Sequence, residues 1–147
     1  MAKLRCEIAT PIKELYSGEA TYVEIPGCEG GFGVLPGHEM LVTAMQNGIV
    51  TVHLDGGEKL QFASYMGFAQ VYEDKVIVLS RMGKPLEEID VEAVKKEAAD
   101  LKAKLDAMSE EELAEQKNAV LHARRGTLMA DYEWCEAQLN FAGAKAK

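Results

Sequence analysis

The residues that break helices and form turns are confined to one part of this chain. All four prolines and eleven of the thirteen glycines lie within residues 1–86 of the 147. Proline is costly inside a helix, and both residue types are frequent in turns. This distribution excludes long helices from most of residues 1–86 and allows them in residues 87–147. We therefore predict two domains, a turn-rich β domain (1–86) followed by a helical domain (87–147).

The first part also shows the period-two alternation of half-buried strands. Asp55-Gly56-Gly57 separates two alternating stretches and is a hairpin signal. Glu73-Asp74 joins two further stretches in the same way. Many short strands with closely spaced turns indicate a sandwich or a barrel. The alternating or apolar stretches lie at residues 3–8, 50–54, 59–62, 68–72 and 76–79.

The second part has the heptad spacing of an amphipathic helix. Asp90 is a suitable N-cap for a first helix, and the Ser-x-x-Glu pattern of residues 109–112 predicts the start of a second. Helices joined so closely form an antiparallel hairpin or straighten into an extended pair. Gly126 is either a tolerated weak point in the second helix or a bend. The apolar seams are Val91, Val94, Ala98, Leu101, Leu105 and Met108, then Leu121, Leu128, Tyr132, Cys135 and Leu139.

Charge and hydropathy exclude several classes of partner. The net charge of −8 disfavours nucleic acids and anionic lipid surfaces as ligands. The sequence has no secretion signal and no run of about 18 apolar residues, so contact with a membrane is expected only through a partner. Three widely spaced cysteines favour a reducing compartment over a disulfide framework.

Motifs for catalysis, cofactors or metals are sparse, and we expect none of the three. His38-Glu39 begins like a zinc-protease motif, but Val42 stands where the second histidine belongs. The glycine-rich segment 28–33 lacks the Gly-Lys-Ser/Thr end of a phosphate loop, and no helix pattern follows it. It is interpreted as a mobile turn that serves as a protein contact. Cys28 is interpreted as a loop thiol rather than a nucleophile.

A small basic cluster stands out in the acidic second part. Its members are Lys117, Arg124 and Arg125. They are either a solvated helix face with local ion pairs or a docking site for an acidic protein surface.

Six short blocks, in order and spacing, resemble the epsilon subunit of F-type ATP synthase. Each block alone is a weak signal, but together they are specific. The later Gly67-Phe68 and Val76-Ile77-Val78-Leu79 resemble the closing strands of the same family. The blocks are Thr10-Pro11, ELYSGEA (14–20), IPGCEG (25–30), GVLPGH (33–38), LVTA (41–44) and NGIV (47–50).

The resemblance implies an α+β fold, with an N-terminal antiparallel β-sandwich of about ten strands and a C-terminal antiparallel two-helix hairpin. It implies a non-catalytic rotor subunit of the central stalk, peripheral on the cytoplasmic face of a bacterial plasma membrane. The sandwich (1–86) would bind the gamma subunit and the c-ring and help couple ion flow to ATP synthesis. The hairpin (87–147) would be regulatory. It would extend toward the alpha and beta subunits and restrain ATP hydrolysis.

The resemblance also implies roles for particular residues. His38 falls in the region that faces gamma. Similar proteins often carry an acidic residue where this chain has Gly31, so Glu29 is the candidate for that polar contact. The c-ring contact falls on Glu29, Gly30, Gly31 and Phe32, and the inhibitory contact with beta falls on Lys117, Arg124 and Arg125.

One motif of the family is incomplete here. Members that bind ATP carry Ile-Asp-x-x-Arg-Ala at the start of the first helix, whereas this chain has Ile89 and Asp90 followed by Ala93 in the arginine position. Alanine has no donor for a phosphate oxygen. The sequence therefore predicts weak ATP binding or none.

Two other functions compete with this interpretation. One is a small β-sandwich metalloenzyme that uses His38 and His53. The other is a free-standing adaptor whose helices pair in a coiled coil. Convergence of the two histidines on a metal would favour the first, and failure to bind gamma and c-ring subunits would favour the second.

Overall fold

The structure is a computed structural model that describes residues 3–107 and 119–145. The chain divides into two compact units, Met1–Ile89 and Asp90–Lys147. Each unit has its own type of secondary structure. The described strands of the first unit are β1 (Leu4–Ala9), β2 (Glu14–Ala20), β3 (Tyr22–Gly27), β4 (Gly30–Val34), β5 (Leu41–Ala44), β6 (Gly48–His53), β7 (Lys59–Tyr72) and β8 (Lys75–Pro85), followed by a 3-10 turn at Leu86–Glu88.

The strands form one continuous sheet in the order β2-β1-β8-β7-β6-β3-β4, with β5 paired to β7. Every pair is antiparallel except β1 with β8, which is parallel. Ala20 on one end strand and Val34 on the other belong to the same buried cluster. The sheet therefore folds over on itself and encloses a core as a sandwich.

Two long strands explain the strand number. The first part of β7 pairs with β6 and its last part pairs with β5. Between these parts Met66 has a φ of +50°, in the left-handed region, where the strand changes direction. When β7 and β8 are each counted in both layers, the eight strands correspond to about ten. The predicted class, a mainly antiparallel sandwich followed by two helices, is confirmed.

The alternation of apolar and polar residues along the strands accounts for most of the core of the sandwich. Leu4, Cys6 and Ile8 on β1 are buried, as the alternation predicts. Thr51 departs from the pattern because it is buried too, between Val50 and Val52. The predicted hairpin at residues 55–57 is present, and Gly56 and Gly57 have φ of +99° and +92°. Only glycine adopts such angles at no steric cost.

The three cysteines differ in burial, and we expect them to differ in reactivity for that reason. Desolvation raises the pKa of the Cys6 thiol to about 12, so that thiol stays protonated at neutral pH. Cys135 is buried and Cys28 is exposed. Because the thiolate is the reactive form, we expect a maleimide near neutral pH to label Cys28 alone in the folded protein. Labelling of all three after unfolding is the control, and fast labelling of Cys6 in the native chain would contradict the expectation.

The second unit contains α1 (Val91–Asp106) and a helix, α2, described over Ala119–Lys145, which pack against each other. The predicted cap is present, since the carboxylate of Asp90 accepts a hydrogen bond from the Ala93 N–H at 3.2 Å. The predicted Met108 and the capping pattern at residues 109–112 lie outside the described residues. The buried members of the seam are Val94, Leu101 and Cys135, and the other predicted members with described side chains are half-buried.

A buried glutamine was not predicted. The side chain of Gln138 is 2 % exposed, and its Oε1 atom has no hydrogen-bond partner among the described residues. Leaving a buried acceptor unpaired costs about 1–3 kcal/mol. The packing around Gln138 is therefore less stable than an apolar side chain of the same shape would make it.

Candidate interaction surfaces

The glycine-rich segment forms the tip of the β3–β4 hairpin. The expectation of a mobile turn over residues 28–33 is wrong in part, because the strand β4 begins at Gly30. Phe32 and Val34 pack against the core from alternate positions of β4, and this alternation favours a strand. At the turn itself Gly30 has a φ of +129°. Glu29, Gly30 and Gly31 are exposed, whereas Phe32 is turned inward and half-buried.

Hydrogen bonds hold the tip in place. The Cys28 N–H donates to the Ala44 carbonyl at 3.0 Å, and the Gln46 N–H donates to the Pro26 carbonyl at 2.7 Å. The Gln46 side-chain amide also donates to the Cys28 carbonyl at 3.1 Å. Glu29 is therefore presented from a braced hairpin next to β5.

A substitution at the base of the tip tests this close packing. A Cβ at Gly27 would lie 2.7 Å from the Gly30 carbonyl oxygen and 2.9 Å from the Phe32 ring. We expect Gly27→Ala to lower the free energy of unfolding by about 1–3 kcal/mol, the usual cost of overpacking. Urea unfolding measures the change. Gly56→Ala is not a neutral control because of its positive φ, so Gly31→Ala, whose Cβ meets only one atom at 3.8 Å, is the matched variant.

His38, the predicted gamma contact, lies in the loop between β4 and β5. Its N–H donates to the Leu35 carbonyl at 3.1 Å, and its half-buried ring lies 6.4 Å from the ring of Phe32. The neighbouring Gly37, with a φ of +83°, donates its N–H to the Asp74 carboxylate at 2.8 Å. The loop is thus fastened at both sides, and Leu35 is left exposed.

A larger surface was missed at the sequence level. Ala44 pairs with Phe68, and Phe68 pairs with Leu79, across β5, β7 and β8. Their neighbours Ala69 and Val78 point into the core, so these three side chains lie on the outside of the sheet. Phe68 is 46 % and Leu79 42 % exposed. We call the surface formed by Val42, Ala44, Met66, Phe68 and Leu79 the outer apolar face.

One sequence signal for this face was available. The run Val76-Ile77-Val78-Leu79 is apolar at consecutive positions rather than alternate ones. Such a run is typical of a strand covered on both sides. Only one side of it meets the core of the sandwich, where Val76 and Val78 are buried.

Two of the three members of the predicted basic cluster lie in the described part of the chain. Arg124 and Arg125 are exposed on α2, and neither forms an ion pair with a described residue. Lys117 lies outside the described residues. The local ion pairs of the solvated-face interpretation are therefore not seen for the two arginines.

His53, a predicted metal ligand of the rival enzyme, lies beside a carboxylate and an aromatic ring. His53 Nε2 lies 3.1 Å from the Glu24 carboxylate, and its ring lies 5.1 Å from the ring of Tyr22. Within residues 3–107 and 119–145, no group of three or more His, Cys, Asp or Glu side chains is arranged to hold a metal ion. No described helix is both long and apolar enough to cross a membrane.

Comparison with known proteins decides the family. Residues 3–83 match the family model of the ATP synthase delta/epsilon chain β-sandwich domain. The ATP synthase epsilon chain of Myxococcus xanthus is 37 % identical over 112 residues, which cover 76 % of this chain and 82 % of that one. The chain belongs to the ATP synthase epsilon chains. The predicted family is therefore confirmed.

Two further matches extend over the helical part. An ATP synthase epsilon chain of Ralstonia nicotianae is 35 % identical over 136 residues, covering 85 % of this chain and 98 % of that one. A chain in the mitochondrial ATP synthase OSCP/F1/c-ring structure of Euglena gracilis has a TM-score of 0.65 and 28 % identity, covering 93 % of this chain and 79 % of that chain. This epsilon chain therefore shares both of its units with relatives.

Proposed function

We propose that this epsilon chain is a non-catalytic rotor subunit in the central stalk of an F-type ATP synthase, on the cytoplasmic face of a bacterial plasma membrane. Its sandwich binds the gamma subunit and meets the c-ring, and so helps couple ion translocation to ATP synthesis. Its helical unit restrains ATP hydrolysis by reaching toward the alpha and beta subunits. The chain itself makes and breaks no bonds.

The outer apolar face is the observation that carries this proposal. Val42 is 68 % exposed and Met66 52 %, beside the exposed Phe68 and Leu79. A contiguous apolar patch on the outside of a sheet marks a protein-binding surface. A subunit of the central stalk has the gamma subunit as a large neighbour. We therefore propose that gamma binds this face and that His38, on the adjoining loop, contributes to the contact.

The tip of the β3–β4 hairpin suits the c-ring contact. It is exposed, braced by backbone hydrogen bonds, and carries one charged side chain, Glu29. A rigid presentation lowers the entropy lost on binding. Gly30 and Gly31 let a partner approach the backbone closely, while Phe32 supports the tip from the core side.

The proposed restraint of hydrolysis requires the helical unit to change its packing. The buried Gln138 Oε1 has no hydrogen-bond partner among the described residues, which lowers the stability of the packing around it. A change between two packings needs states that differ by only a few kcal/mol. Arg124 and Arg125 are exposed and available for an acidic surface of beta.

Weak ATP binding follows from the first turn of α1. The Asp90 carboxylate is engaged by the Ala93 N–H, and Ala93 has no side-chain donor for phosphate. We expect isothermal titration of the full chain with ATP to show no binding at micromolar concentrations. Ala93→Arg is the informative variant, because it restores the arginine of the family motif and should raise the affinity. Micromolar binding by the unaltered chain would contradict the prediction.

Assembly is the direct test of the proposed function. The full chain mixed with gamma and with c-ring should enter one complex, seen by size exclusion and by mass spectrometry of the assembly. A metal bound stoichiometrically with turnover of a substrate would favour the metalloenzyme with His38 and His53 instead. Self-association through the helices without gamma binding would favour the adaptor.

A further inference from the structure

A groove opens on the outer apolar face beside Met66. It has a volume of about 360 Å³, and its lining includes Pro11, Met66, Phe68, Leu79 and Arg81. Most of these side chains offer hydrocarbon surface. A groove of this size accepts one or two large side chains of a partner, and apolar ones bury the most favourable area.

The wall of the groove is held in shape by the backbone. Met66 adopts a φ of +50°, which is uncommon for a residue with a side chain. The Asn47 side-chain oxygen accepts a hydrogen bond from the Met66 N–H at 2.8 Å and stabilises this conformation. At the next position, a Cβ on Gly67 would lie 2.6 Å from the Leu79 carbonyl oxygen, so the strands approach closely there. The backbone therefore holds the Met66 side chain at the edge of the groove.

The rim of the groove carries an unpaired cation. Tyr65 pairs with Met82 and Gly67 with Ser80, so Met66 and Arg81 lie opposite each other on β7 and β8. Arg81 is exposed and forms no ion pair with a described residue. Lys3, Arg5 and Lys75 of the same unit are paired with carboxylates. Lys13, Lys59 and Lys84 form no ion pair with a described residue either, but they do not line the groove, whereas Arg81 does. In an acidic chain, a free arginine beside an apolar groove is a docking point for a carboxylate.

We propose that this groove takes one large apolar side chain of the partner segment and that Arg81 binds a nearby carboxylate of the same segment. The inference rests on the proposed function, since the partner is the gamma subunit. It adds the chemistry by which gamma is recognised. The flexible Met66 side chain adapts to the apolar side chain of the partner. The Arg81 guanidinium binds the carboxylate with two hydrogen bonds and thereby fixes the alignment of the partner segment on the groove.

The first test measures binding of full-length variants to gamma. Met66→Ala should weaken the affinity about 30-fold, as removal of a central anchor does. Arg81→Glu should weaken it at least about tenfold and reduce the salt dependence of the association rate. Lys59→Glu, at the far end of β7, makes the same charge change away from the groove and is the control. An Arg81→Glu effect no larger than that of Lys59→Glu would overturn the proposal.

The second test identifies the partner segment. A photo-reactive phenylalanine analogue replaces Met66 in the full chain, and the adduct with gamma is mapped by mass spectrometry. We expect an apolar residue within four positions of Asp or Glu. A segment without a carboxylate would overturn this inference while leaving the proposed function intact, whereas failure of the unaltered chain to bind gamma would remove the proposed function as well.

Discussion

Removing residues 90–147 should raise ATP hydrolysis by the assembled complex at least about fivefold, while ATP synthesis driven by the ion gradient persists. The lower bound follows from the usual size of the coupling free energy between two sites, which is about 1–3 kcal/mol and corresponds to about 5- to 150-fold. The cut after Ile89 follows the boundary between the two compact units. It retains Leu86, which is buried, so the sandwich keeps its core.

Two measurements make this expectation specific. Hydrolysis and ion pumping are followed in the same membranes, so that loss of restraint is separated from loss of coupling. Replacing Lys117, Arg124 and Arg125 with alanine in the full chain should give part of the same rise, because it removes the charges proposed to meet beta. Loss of ion pumping on truncation would place the essential role in the helical unit, and unchanged hydrolysis would refute its restraining role.

Phe68→Glu should weaken binding to gamma by about a hundredfold or more. Phe68 lies in the middle of the outer apolar face, between Ala44 and Leu79. Desolvating a carboxylate there costs about 3 kcal/mol or more, and each 1.4 kcal/mol is about tenfold in affinity. Pairing of the new carboxylate with Arg81, which lines the same groove, would take that arginine away from its proposed contact with gamma. Titration calorimetry or surface plasmon resonance with purified gamma measures the loss.

The design separates binding from folding. Phe68 is 46 % exposed and lies outside the buried core, so the variant alone should unfold at nearly the same temperature as the unaltered chain. Lys59→Glu, on the same strand but off the face, should bind gamma nearly as well as the unaltered chain. Retained affinity in Phe68→Glu would move the gamma contact to another surface and remove the main support for the proposed function.

The division into a β part and a helical part could be read from the residues, because it depends on local properties. Glycine and proline act through their own backbone angles, as Gly56 and Gly57 do in the β6–β7 turn. The cap at Asp90 and the seam through Val94 and Leu101 also depend on neighbours within a few residues. Such features do not depend on contacts between strands that are distant in the sequence.

The outer apolar face could be identified only from the tertiary structure. Val42, Phe68 and Leu79 lie far apart in the sequence and share one face only because β5, β7 and β8 pair in a particular register. A shift of one residue would have turned each strand's apolar side chains to the other face. Likewise, nothing near Gln138 in the sequence shows that this polar side chain will be buried. Turn positions and helix faces were thus determined by the sequence alone, whereas strand register, which depends on packing across the whole sheet, decided which apolar side chains share the outer apolar face.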